Sequence, residues 1–230
     1  MGRLDPGGRR ALIDQPTLSP GDTLISTLRH GLTVLNRDKR VGGHTDVPLL
    51  EVGRQQAEAG RAAFEGTPFD LVISSPLQRA IETALIVTGI ARRDLIIEPL
   101  CIERFFGEME GLTRPQVEER FPQIVYLQIG HVGNSLNPPG GETYETLRRR
   151  AEQFLDQVLA NHSGRKIVIS SHQAFMQQLH GLLWGRDPFD SLRVDLLNLE
   201  LNQFQLGPRR NLIQHQKVHL IPDAQKYASF

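Results

Sequence analysis

Residues 166–172 read Lys166-Ile167-Val168-Ile169-Ser170-Ser171-His172. A β-branched run this short is read as a buried strand, and it ends in two serines and a histidine instead of a turn of glycine or proline. The arrangement recurs twice upstream. Leu24-Ile25-Ser26-Thr27-Leu28 passes into Arg29-His30-Gly31, and Phe69 to Ser74, with Leu71-Val72-Ile73 at its centre, passes into Ser74-Ser75. Leu95 to Glu98 and Gln203 to Leu206 read as two further strands.

Helical patterns fill the intervals. Leu77, Ala80, Ile81, Ala84, Leu85 and Thr88 share one face after Pro76, and Leu147, Ala151, Phe154, Leu155, Val158 and Leu159 form a second stripe, each at the spacing of an amphipathic helix. Weaker patterns cover Leu50 to Phe64, Pro115 to Phe121 and Ala174 to Leu183. Strands alternating with helices predict α/β layers. In open α/β sheets the ligand crevice lies beyond the carboxyl ends of the strands, so the polar residues that follow the three apolar runs are expected to meet there. The segment Tyr126 to Gly141, rich in Gly and Pro, is expected as a long loop over that site.

Composition narrows the function. With 26 basic and 26 acidic residues among 230, the formal charge is zero, which argues against nucleic acid or an anionic membrane as partner. A lone cysteine, Cys101, excludes an intramolecular disulfide and is expected in the core. The first 22 residues contain no signal-peptide core, and Pro6 stands where a myristoylation signal has Ser or Thr. The expectation is a cytoplasmic protein with a flexible tail over residues 1–22 and a single domain over 23–230.

Taken singly, the polar residues have structural explanations. Arg29-His30-Gly31 suits a surface turn, Arg79 a solvated helix face, and His172 a hydrogen-bonded core position. Jointly they form a pattern: Arg29-His30-Gly31 with Thr33 and Asn36; Ser74-Ser75-Pro76-Leu77-Gln78-Arg79-Ala80 with Thr83-Ala84; Glu103 with Gly107 and Glu110-Gly111; Gly140-Gly141-Glu142; and Ser171-His172. In order and spacing, from about Leu24 to Leu183, this resembles the histidine phosphatase superfamily, also called phosphoglycerate mutase-like.

The resemblance implies a three-layer α/β/α sandwich with a mostly parallel central sheet. It also implies a metal-independent phosphomonoesterase that hydrolyses a small phosphorylated metabolite without a cofactor. By match to the family's motifs, His30 is the nucleophile, Arg29 and Arg79 clamp the phosphoryl group, His172 donates to it, and Glu103 is the acid and then the base. The chemistry suits these residue types. A planar guanidinium matches two phosphate oxygens, a neutral imidazole can attack phosphorus, and an alkoxide leaves poorly unless protonated. Asn36, Gly42, Gly43, Gln173 and Arg114 fall at substrate-contacting positions, with Glu142 a lesser candidate for the acid.

Gln173 replaces the glycine frequent after the second histidine, Leu32 a frequent glutamate and Leu50 a common threonine, so substrate identity stays open. Arg114 stands where a mutase often has a lysine. Cofactor-dependent phosphoglycerate mutase-type transfer and a catalytically inactive phospho-ligand binding protein are the alternatives. A metal-dependent hydrolase is a further rival, because His215 and His219 are four apart, as helical metal ligands can be. Nothing in the sequence excludes a homodimer.

Overall fold

A computed structural model describes residue 13 and residues 16–130 and 132–221. Its central sheet has the order β3-β2-β6-β1-β7-β8. Four strands are parallel: β3 (Leu95–Ile97), β2 (Leu71–Ser74), β6 (Lys166–Ser171) and β1 (Thr23–Arg29). β7 (Glu200–Leu206) extends the sheet antiparallel to β1, and β8 (Leu212–His219) follows antiparallel to β7.

Side-chain alternation along β6 builds the layers. Ile167 and Ile169 face a core shared with α5 (Tyr144–His162) and α6 (Gln173–Leu183), through Leu147, Phe154, Phe175 and Leu179. Val168 faces the opposite core, formed with α2 (Glu51–Phe64) and α3 (Gln78–Thr88) through Ala57, Phe64, Ala84 and Val87. The predicted sandwich and its mostly parallel sheet are therefore present. α3 buries Ala80, Thr83, Ala84 and Val87 and stops at Gly89, whose φ of 72° is left-handed. α5 starts at Thr143, whose hydroxyl accepts the Thr146 N–H. Cys101 is buried, as expected.

Two expectations need correction. The stretch Tyr126 to Gly141 holds an antiparallel hairpin, β4 (Tyr126–Ile129) and β5 (Val132–Ser135), which its glycines and prolines concealed. The segment with His215 and His219 is strand β8. Four residues along a strand span about 13 Å, too far for two side chains to share one ion, whereas a helix would have brought them together. His215 instead stacks on Phe204 with ring centroids 4.5 Å apart.

Two further helices are α1 (Val34–Arg37) and α4 (Arg114–Arg120). Of the expected tail, residues 1–12, 14 and 15 lie outside the described residues. The rest is attached: Ile13 packs in the α2–α3 core, and the Asp22 carboxylate accepts from Ser19 N–H and from Gln205 Nε2.

Candidate active site

The carboxyl ends of β1, β2 and β6 deliver Arg29-His30, Ser74-Ser75 and Ser171-His172 to one crevice. His30 and His172 lie with ring centroids 5.1 Å apart. A cavity of about 130 Å³ opens beside them, lined by Arg29, His30, Arg79 and Glu103.

His30 Nδ1 lies 2.8 Å from Gly31 O. A carbonyl only accepts, so Nδ1 carries the proton and Nε2 keeps its lone pair. Burial, then the charges of Arg79 and Arg29, hold the ring's pKa well below that of an ordinary histidine. His30 is thus a neutral imidazole with a defined tautomer. Its backbone is also fixed: Asn198 Nδ2 donates to His30 O at 2.7 Å, and Leu199 N–H donates to Arg29 O at 3.1 Å. Leu199 adopts a φ of 57°, unusual for a residue with a bulky side chain.

Both arginines are buried, at 3% exposure each, although charged side chains almost never are unless held. Arg29 donates to Leu196 O, and burial lowers its pKa to about 10. Arg79 donates from Nη1 to Thr45 O, from Nη2 to Gly43 O and from Nε to His172 Nδ1. Three of its five N–H groups are thus engaged, leaving two for a ligand. Desolvation lowers its pKa as well.

Because Arg79 can only donate, His172 Nδ1 accepts, and the His172 proton sits on Nε2, 2.7 Å from Ser75 Oγ. Burial and the charge of Arg79 keep this ring neutral too. His172 lies behind the residues that line the cavity, so donating to a phosphoryl oxygen requires it to release Ser75.

Glu103 lines the cavity while its carboxyl oxygens accept from backbone N–H groups: Arg104 at 2.8 Å and Phe175 at 3.1 Å on Oε1, and Ala174 at 3.3 Å on Oε2. It therefore caps α6, the helix that follows His172. Glu142 is held elsewhere, in a 2.7 Å ion pair with Arg150, so its place is structural.

Asn36, Gly42, Gly43, Gln173 and Arg114 all line the cavity. Asn36 uses its Oδ1 to accept from Thr33 N–H and hydroxyl in a capping box. Gly43 has a φ of 52°, and a Cβ there would sit 2.0 Å from Glu110 Oε1. Glu110, seen in the sequence only as part of a motif, accepts from His44 N, Thr45 N and Phe106 N and so fixes the loop that carries Gly43. Sequence reasoning missed Asn198, which no local pattern marks, and Arg104, fully buried with its guanidinium 3.8 Å over the Tyr144 ring. Among the described residues no group of three or more His, Cys, Asp or Glu side chains converges on a metal-sized site.

The chain is similar to several known proteins. A bifunctional protein of Mycobacterium tuberculosis is 33% identical over 188 residues, covering 79% of this chain and 50% of the relative; the chain thus spans half the length of that relative. Phosphoglycerate mutase-like protein 4 of Arabidopsis thaliana is 30% identical over 186 residues, covering 79% of each. The crystal structure of a putative alpha-ribazole-5'-P phosphatase from Escherichia coli superposes with a TM-score of 0.73 at 23% identity, covering 86% of this chain and 96% of the other, and so shares its fold. The family profile of the histidine phosphatase superfamily (branch 1) matches residues 25–218, and this chain belongs to that family.

Proposed function

We propose that the chain is a metal-independent phosphomonoesterase acting on a small phosphorylated metabolite through a phosphohistidine at His30. The observation that carries this is the state of the His30 ring: neutral, with its proton fixed on Nδ1 by Gly31 O, beside two buried guanidinium groups. A phosphomonoester dianion entering the cavity meets Arg29 and Arg79, which favour the charge that the three phosphoryl oxygens carry in the transition state.

In the first step the His30 Nε2–P bond forms and the ester O–P bond breaks, while the Glu103 carboxylic acid gives its proton to the leaving alcohol oxygen. In the second, water attacks phosphorus, Glu103 takes its proton, and the N–P bond breaks to release inorganic phosphate and restore the imidazole. Phosphatase-named relatives support this direction of transfer; one is a metal-independent phosphoserine phosphatase of Arabidopsis thaliana, 32% identical over 161 residues, covering 69% of this chain and 67% of the relative.

The test is trapping by a rapid alkaline, denaturing quench. Labelled phosphomonoester mixed with enzyme and a chelator should leave an acid-labile, base-stable phosphoryl group on His30, and His30→Ala should abolish both label and turnover. Turnover that persists in His30→Ala, or that the chelator removes, would refute the proposal.

A further inference from the structure

Beyond the histidines the cavity changes character. Its outer wall is made by Leu35, Val41, Phe106, Met109, Val117 and Tyr126. Val41, Met109 and Val117 belong to a small apolar core of their own, on which Phe106 and Tyr126 pack. The wall is therefore built into the fold. Other polar residues of the lining, among them Asn36, Asn134, Ser135, Gln173 and Gln177, are uncharged.

Two cations, Arg40 and Arg114, also line the cavity; each is hydrogen-bonded within the protein, and Arg114 is paired with an acid. Arg114 Nε donates to Glu118 Oε1 at 2.5 Å, one helical turn along α4. Its guanidinium lies 3.7 Å over the Tyr126 ring of β4 and reaches Gly133 O of β5 at 3.4 Å. Gly133 admits it closely, since a Cβ there would lie 2.5 Å from Arg114 Nη1. Arg114 thus joins α4 to both strands of the hairpin, with an acid balancing its charge. Arg40 Nη1 donates to Gly111 O at 2.7 Å, in the turn where its backbone bridges to Thr113.

A carboxylate or second phosphate entering this chamber would lose water against an apolar wall and neutral amides, with Arg114 already paired to Glu118 and one Arg40 N–H committed to Gly111 O; buried charge is tolerated only when paired. A hydrocarbon chain or ring would gain by the same burial. The geometry points to a substrate whose alcohol half carries an apolar chain or ring, with Arg114 a positioning residue that holds the hairpin over the chamber and not a ligand for a substrate anion. The inference rests on the phosphomonoesterase proposal for the chemistry, and only there.

Two assays separate the layers. In the first, kcat/KM is measured for three alkyl esters of primary alcohols, 3-phenylpropyl phosphate, 3-phosphoglycerate and phosphoserine. The phenylpropyl ester should exceed the other two by at least tenfold, chiefly through a lower KM, and carboxylated esters that match or exceed it would overturn the inference. In the second, calorimetry compares binding of the non-hydrolysable 3-phenylpropylphosphonate and 2-carboxyethylphosphonate to the full chain. A preference for the aryl ligand supports the chamber even if every ester resists turnover, in which case the catalytic proposal alone fails, and a preference for the carboxylate overturns it. Arg114→Met should weaken both phosphonates by similar factors, with Arg114→Lys restoring most of the loss. A loss confined to the carboxylated ligand would identify Arg114 as an anion ligand and refute the positioning role.

Discussion

Arg79 Nε donates to His172 Nδ1 at 3.2 Å, and that bond decides which nitrogen of His172 carries the proton. The same guanidinium reaches Gly43 O and Thr45 O, so one side chain of α3 joins the second histidine to the loop that lines the cavity. A lysine puts its three donors on one nitrogen and cannot span acceptors that Arg79 reaches from three. Arg79→Lys is therefore expected to lower kcat/KM by about 10²–10³-fold, the range seen when one directed transition-state donor is lost. Ser75→Ala leaves the Arg79 bond intact and removes only the acceptor of His172 Nε2, so its loss should be smaller. Steady-state kinetics of both variants checks the order.

The pH dependence follows from the buried rings. Burial holds His30 and His172 well below the usual histidine pKa and takes His180 down to about 3. Each takes up a proton near pH 6.5 when the chain unfolds but resists it when folded, so unfolding binds protons below that pH. Their stabilising contribution is complete above pH 6.5 and is lost as pH falls toward the folded values, by about 1.4 kcal/mol per pH unit for each ring. His180 is remote from the nucleophile, with Nε2 on Thr27 Oγ1 at 2.8 Å and its ring 4.7 Å from that of Phe204. His180→Phe should flatten the fall in stability between pH 6.5 and 4 by one such increment. Urea titrations at pH 7, 6 and 5 measure it. An unaltered slope would mean that His180 is protonated in the folded state.

The loop at residues 43–45 is held from two sides, by Arg79 on its carbonyls and Glu110 on its amides. Gly43 lies between them at a positive φ, where alanine is strained and its methyl would overlap Glu110. Gly43→Ala should displace Glu110 and cost more than tenfold in kcat/KM, while the sheet core, which this loop does not enter, keeps its far-ultraviolet circular dichroism. Near-normal turnover would show that the loop does not set the position of Arg79.

The legibility of the sequence tracks the range of the interactions involved. β6 was readable because Ile167, Val168 and Ile169 alternate between two cores, and α3 and α5 because one face of each is buried. β8 was not, since as an edge strand it exposes residues such as Ile213, at 52%, and lacks an apolar face. The hairpin was hidden because it is held by Arg114 stacking on Tyr126 and by Gly133, contacts from a different element. At the site, the residues that follow the apolar runs were named from sequence because topology alone gathers strand ends. Asn198, which holds His30 O from 168 positions away, follows no such rule. Nor was it legible that Glu103 is a helix cap as well as the candidate acid.

That double role makes Glu103→Gln the most discriminating substitution. The amide keeps one acceptor oxygen but places an NH₂ group against a backbone N–H of Arg104, Ala174 or Phe175, so part of the α6 cap is lost, at about 0.5–2 kcal/mol of stability. The catalytic loss should depend on the leaving group. With an alkyl phosphate the first step needs the Glu103 proton, and turnover should fall about 10²–10⁴-fold. With p-nitrophenyl phosphate the phenolate departs unaided, and only the second step, in which Glu103 activates water, remains impaired. Rapid mixing should then show a burst of p-nitrophenol equal to the enzyme concentration, followed by slow turnover as the phosphohistidine accumulates. A uniform loss on both esters without a burst would mean that Glu103 acts only by capping α6, and that the acid lies elsewhere in the cavity.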